Sequence, residues 1–274
     1  MKIFDCFIYN GEDELLDIRL NELDSYVSYF VLVESNISFS GIKKSYSFNS
    51  NKFKKFKHKI RYVPVQDGQA KYQNKNYWPF FKAVQWQREF FCRNSILDGL
   101  YDAQDEDYVL LSDIDELPNL ENLSFDTEII IFKQICLQFK LNLMNPGLTP
   151  YFGTKGIKFR SLGIPSELRL FDQEHLGIVN YQGLNKKYVK DGGWHFSYCT
   201  GTQDILKKIR FYSHFERAKS INLEHIDNCI KNRKDLWNGE FNYVKKTKNL
   251  EIKNNEFLPK YVQQNMQKFK HLLA

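Results

Sequence analysis

Two carboxylates one residue apart, Asp113 and Asp115, offer the sharpest chemistry in the chain. Side chains at i and i+2 of a strand share a face, so the pair projects together from the end of its strand. Such charges repel unless a cation lies between them, and a hard divalent ion, Mg²⁺ or Mn²⁺, prefers oxygen ligands. An ion held by one or two carboxylates completes its shell with water and phosphate oxygens. The pattern points to a metal–diphosphate site. Its plain alternative is a solvated acidic turn, because a bare Asp-x-Asp arises by chance in many proteins. Placement favours the metal: Tyr108 to Leu111 is a short apolar run suited to a parallel strand covered on both faces, and Pro118 stops the element. In open α/β sheets, ligands bind beyond the carboxyl ends of strands.

The preceding residues supply the sheet that such a strand needs. Ile3 to Tyr9 reads as a first strand, Asn10 as a helix cap, and Glu12 and Asp13 as acids in the first turn. Leu16, Leu20, Leu23 and Val27 fall on one helical face. Tyr29 to Val33 is a second strand ending at Glu34-Ser35, which completes a βαβ unit. A polar, serine-rich loop is expected over 36–48, a lysine-rich helix near 50–57, and a third strand near 59–64 stopped by Pro64. Residues 65–77 carry no apolar period and read as a mobile loop. A helix from Trp78 to Leu100 places Trp86, Phe90, Arg93 and Leu97 on one face, with Trp86 and Phe90 as core aromatics. Arg93 is either an i,i+4 partner of Glu89 or a contact to diphosphate or ribose.

The second half changes character. Residues 128–144 suggest one or two strands, and 145–165, with four glycines and three prolines, a long loop. Glu167 to Phe171 alternates as a strand, and a further strand runs from Trp194 to Tyr198. Ile205, Ile209 and Tyr212 mark a helix reaching His214, and two or three amphipathic helices follow from Asn222.

Composition narrows the class. The 274 residues carry a net charge of +6 and 16% aromatics, enough to build a core and too apolar for a disordered chain. No apolar run approaches a membrane span of roughly 18 residues. Met1 runs straight into a strand pattern, which leaves no room for a signal peptide. The five cysteines are scattered, with no Cys-x-x-Cys, so reduced thiols are expected and a zinc site is not. Lys52 to Lys59 and Lys245 to Lys248 read as solvated surface, with peripheral attraction to an anionic membrane as the alternative. Nothing resembles a nucleic-acid module.

Several stretches, in order, resemble one family. They are Asp5-Cys6-Phe7-Ile8-Tyr9-Asn10, the run from Glu14 to Leu20, and Phe30-Val31-Leu32-Val33-Glu34-Ser35. Ser112-Asp113-Ile114-Asp115-Glu116-Leu117-Pro118, Gly193-Trp194-His195-Phe196-Ser197-Tyr198 and the run from Lys208 to Glu216 follow. Together they resemble glycosyltransferase family 17, the family of the β-1,4-mannosyl-glycoprotein β-1,4-N-acetylglucosaminyltransferase. The resemblance implies a GT-A fold, an α/β Rossmann-like mixed sheet flanked by helices. It implies a single domain over 1–274, with a nucleotide-sugar half (1–118), an acceptor and catalytic half (119–220) and a C-terminal helical segment (221–274). It further implies an inverting transfer of a GlcNAc-like or other sugar from a UDP-sugar to a hydroxyl of an oligosaccharide or surface glycan, with Mn²⁺ or Mg²⁺. Animal members carry an anchor and a luminal stem; with neither expected here, a cytoplasmic member fits better.

The resemblance also distributes roles. Asp115 becomes the direct metal ligand, with Asp113 at the ribose, a metal-bound water or the ion itself. His195 becomes a further ligand, ahead of His214. Glu167 is the candidate base, Asp191 its rival, and Glu116 a structural neighbour. Tyr9 and Glu34, at strand ends, would meet uracil and ribose, or serve only as packing and caps. Trp194 and Trp78 would stack on sugar rings. Two other readings compete: a phosphotransferase with an aspartate nucleophile, and an inactive nucleotide-sugar binder. The first wants its motif after the first strand, and the complete set Asp113, Asp115 and His195 argues against the second.

Overall fold

The computed structural model describes residues 1–66, 84–171, 181–213, 215, 220–237 and 249–274. The strands Ile3–Ile8 (β1), Tyr29–Ser35 (β2), Ile60–Val65 (β3) and Tyr108–Asp113 (β4) pair in parallel, in the order β4-β1-β2-β3. Their near-continuous apolar sequences follow from burial on both faces. Alternate residues serve different layers. Phe7, Phe30, Leu32 and Leu110 meet Leu16, Leu20 and Leu23 of helix α1 (Asp13–Leu23). Phe4, Cys6, Ile8, Val31 and Val33 meet Cys92 of α2 (Val84–Asn94) and Ile96 of the following 3-10 turn. The helix expected over 78–100 is thus two pieces, and its first six positions lie outside the described residues. The lysine-rich segment is a 3-10 helix, Ser50–Phe56. Pro64 sits within β3 instead of ending it, tolerated because β3 is an edge strand.

Beyond β4 the chain builds a second sheet and completes the first. It forms Glu116–Pro118 (β5), Ile129–Phe132 (β6), Ile135–Gln138 (β7), Leu143–Met144 (β8) and Lys155–Lys158 (β9). Helix Pro165–Leu170 (α3), strands Lys186–Val189 (β10) and Gly193–Ser197 (β11), and helices Thr202–Phe211 (α4) and Leu223–Asn232 (α5) follow. Glu251–Ile252 (β12) and Lys260–Gln264 (α6) finish the chain. The large sheet reads β10-β6-β9-β4-β1-β2-β3, with β9 antiparallel to both neighbours. The smaller sheet reads β12-β8-β7-β11-β5. The mixed sheet flanked by helices is the expected fold class. The large sheet draws strands from both expected halves, and Val262, Phe269 and Leu272 from the chain end join the core under α1.

Two more expectations fail in the second half. Residues 145–165 are not all loop, because β9 lies inside the large sheet, between β6 and β4. Gly156 permits that packing: a Cβ there would sit 3.0 Å from Leu110 Cδ2. Residues 167–171 are not a strand but mostly belong to α3, which Pro165 opens with its fixed φ. Among the described residues no helix is long and apolar enough to cross a membrane.

Candidate active site

The turn after β4 is held from behind by a buried arginine. Arg19, on the sheet-facing side of α1, is 0% exposed. Its Nε and Nη2 donate to Asp5 of β1 at 2.7 and 2.6 Å, and Nη2 also donates to Ser112 Oγ. Nη1 donates to the carbonyls of Asp113, Ile114 and Glu116 at 3.2, 3.3 and 2.9 Å. A charge buried this deeply is tolerable only when paired and fully hydrogen-bonded, and this one is both. The result is a fixed backbone for the aspartate pair.

In front of that turn the two aspartates meet different partners. Asp113 accepts from Arg93 Nη2 at 2.8 Å and from Arg169 Nη2 at 3.0 Å. Burial pushes its pKa up, but the two guanidinium groups outweigh that and hold the carboxyl well below the usual range. Glu116 caps the Asp113 backbone N–H at 2.9 Å and shares Arg169. Arg93 also reaches Glu89 at 3.3 Å, while its buried Nε and Nη1 have no hydrogen-bond partner among the described residues.

Asp115 faces the other way along the cleft. Its Oδ2 accepts from Lys208 Nζ of α4 at 2.7 Å and lies 3.8 Å from His195 Nε2 of β11. Burial would neutralise Lys208; Asp115, and Glu12 at 3.9 Å, hold it instead as an ammonium with a raised pKa. The His195 ring is set by Tyr151, whose ring centroid lies 4.0 Å away. His195 Nδ1 is buried with no partner among the described residues. A cleft of about 220 Å³ is lined by these groups, including Arg93, Asp113, Asp115, Tyr151, His195 and Lys208. A second chamber of about 260 Å³, between the β1–α1 turn and α4, shares Asn10, Glu12, Tyr198 and Lys208 with it.

The model of glycosyltransferase family 17 matches residues 1–274. The chain belongs to that family. It is a glycosyltransferase. No curated protein matches the sequence. Among solved structures it is similar to galactosyltransferase LgtC in complex with donor and acceptor sugar analogs (14% identity, 70% of this chain and 74% of that one, TM-score 0.35). It is also similar to the glycosyltransferase GlyE of Streptococcus pneumoniae (14% identity, 69% and 46%, TM-score 0.33). A third is glucosyl-3-phosphoglycerate synthase of Mycobacterium tuberculosis with Mn²⁺, UDP and phosphoglyceric acid (11% identity, 81% and 79%, TM-score 0.32).

Within this glycosyltransferase, Asp113, Asp115, His195 and Arg93 share one cleft. Other candidates fall elsewhere. Trp194 points to the opposite face of β11 from His195, is 8% exposed, and donates its indole N–H to Phe257 O at 2.7 Å. It is a core residue instead of a sugar platform. Tyr9 is fully buried, donating to Asp13 and packed edge-on against Phe48. Glu34, also fully buried, accepts from Ser47 N and Oγ, Phe48 N and Tyr62 Oη, so it pins the 36–48 loop. Neither lines the cleft or the second chamber. Glu167 lies on α3 near Tyr181, and it is Arg169, two residues on, that hydrogen-bonds Asp113. Asp191 is exposed on the turn before β11 and does not line the cleft. Trp78 and His214 lie outside the described residues.

Arg19, Tyr151, Arg169 and Lys208 were not singled out from the sequence. Arg19, beside the apolar stripe of α1, and Lys208 both lie in stretches that resemble the family.

A divalent ion suits this donor set in one form. Among the described residues no three His, Cys, Asp or Glu side chains converge into a cage. Asp115 and His195 instead present one oxygen and one nitrogen toward each other, too far apart to hydrogen-bond. An oxygen and an imidazole nitrogen facing across 3.8 Å fit an ion completed by phosphate and water.

Proposed function

We propose that the protein moves a sugar from a UDP-sugar to a hydroxyl of an oligosaccharide or surface-glycan acceptor, with inversion at the anomeric carbon. The observation that carries this reading is the convergence of Asp115, His195 and the arginine-clamped Asp113 in one cleft at the carboxyl end of β4. The acceptor oxygen bonds to the anomeric carbon from the face opposite the nucleotide. The bond to the diphosphate oxygen breaks, UDP leaves with the electron pair, and the acceptor proton passes to a carboxylate.

Asp115 and His195 would hold a divalent ion, which when bound acts as a Lewis acid at the leaving diphosphate. Arg93 brings two buried nitrogens, Nε and Nη1, with no partner among the described residues, which suits an anionic ligand. Glu167 and Asp191 lie off the cleft, so the base is sought first among the acids that line it, Glu12 and Glu89. Five buried free thiols support a reducing, cytoplasmic setting. The lysines of the Ser50–Phe56 turn are the candidate for peripheral attraction to an anionic surface.

A panel of UDP-GlcNAc, UDP-Glc, UDP-Gal and UDP-Xyl, with GDP-Man as control, tests the reading with Mn²⁺ or with chelator. At least one UDP-sugar should raise the melting temperature and release UDP only with the ion. If no UDP-sugar does either in Mn²⁺, the reading fails.

A further inference from the structure

Lys208 stands where an ion would. Its ammonium lies 2.7 Å from Asp115 Oδ2, the same oxygen that faces His195 Nε2 at 3.8 Å. Two cations on one carboxylate oxygen oppose each other, and at a half-buried site that repulsion is poorly screened. Lys208 is not a stray surface lysine: its side chain is 28% exposed against 8% for Asp115, and a second carboxylate, Glu12, lies on its other side at 3.9 Å. It also belongs to the wall common to the cleft and the second chamber, so an anion entering either would meet it. A diphosphate brings several negative charges to this wall at once. It can take the ammonium as a partner while Asp115 passes to the metal.

We propose that Lys208 is a resident counter-ion. It occupies Asp115 in the free protein and is drawn onto the nucleotide diphosphate when donor and metal arrive, so that metal affinity is coupled to nucleotide. This rests on the metal–diphosphate reading above and adds to it an order: without nucleotide, the ion competes with the protein's own lysine. Arg93 and Arg169 hydrogen-bond Asp113 instead, so neither stands on the Asp115 oxygen as Lys208 does. By linkage, whatever factor UDP adds to Mn²⁺ affinity, Mn²⁺ adds to UDP affinity.

The test titrates Mn²⁺ into the full chain and reads free ion by electron paramagnetic resonance, with and without UDP. The wild type should bind Mn²⁺ weakly alone and roughly tenfold or more tightly with UDP, within the usual range of such couplings. Lys208→Met should bind Mn²⁺ without UDP about tenfold more tightly than the wild type, lose most of the gain from UDP, and bind UDP more weakly. Lys208→Arg, which keeps the charge, should behave like the wild type. Lys208→Gln repeats the comparison if the methionine variant melts early. If the wild type binds Mn²⁺ with UDP and removing the lysine charge leaves Mn²⁺ affinity without UDP unchanged, this inference is overturned and the metal reading survives. If the wild type with UDP takes up no Mn²⁺, the metal reading falls and this inference with it.

Discussion

Behind and in front of the β4 turn lie two ion clusters of similar composition and opposite condition. Behind it, Arg19 is saturated by Asp5, Ser112 and three carbonyls, with no exposure on either charged partner beyond 1%. In front, Arg93 keeps Nε and Nη1 unpartnered among the described residues, His195 keeps Nδ1 so, and Asp115 holds Lys208 on one oxygen. A saturated buried cluster has nothing to offer a ligand and serves to hold the backbone. An unsaturated one costs stability and is retained where a ligand will complete it. The contrast separates scaffold from site more sharply than charge or burial alone.

The comparison breaks most visibly at Arg19. Arg19→Met leaves Asp5 buried without its partner, and chemical denaturation should show a loss of roughly 3–5 kcal/mol. A loss under about 1 kcal/mol would mean the rear cluster is no anchor. Asp115→Asn should do the reverse: melting nearly unchanged, Mn²⁺-dependent UDP binding gone, and turnover down by roughly 10²–10³-fold. Unchanged metal-dependent binding in that variant removes Asp115 from the site. Tyr151→Ala frees the His195 ring and should lower Mn²⁺ affinity in the presence of UDP by about 10–100-fold, the scale seen when a ligand's support is lost. Tyr151→Phe keeps the ring and should not. The smallest effect is expected at Trp194→Phe, which forfeits one hydrogen bond, about 1 kcal/mol, with turnover unaltered. A strong turnover defect with normal melting would return Trp194 to the acceptor role.

Much of the fold was legible because burial on both faces writes long apolar runs. β1, β2 and β4 were read within a residue or two, and α1 from its leucine stripe. α3 was misread because Glu167 to Phe171 is too short to tell period 2 from 3.6, and Pro165 was the better guide. Trp194 could have been excluded from the sequence, since neighbours on a strand face opposite ways and His195 claims the other face. Lys208 opens a run that resembles the family, but its contact with Asp115, 93 positions away, is not a property of that run.

By itself the sequence determined the strand that ends in Asp113-Ile114-Asp115, its neighbours in the parallel sheet and the family, because local periodicity and ordered motifs are properties of the chain. Tertiary structure alone decided which charges meet: that Arg93 and Arg169 clamp Asp113, that Lys208 sits on Asp115, and that Glu34 and Tyr9 turn inward. The partners are 20, 56 and 93 positions apart, and nothing in local periodicity fixes a contact at such a distance. Only the packing of α2, α3 and α4 around one strand end does.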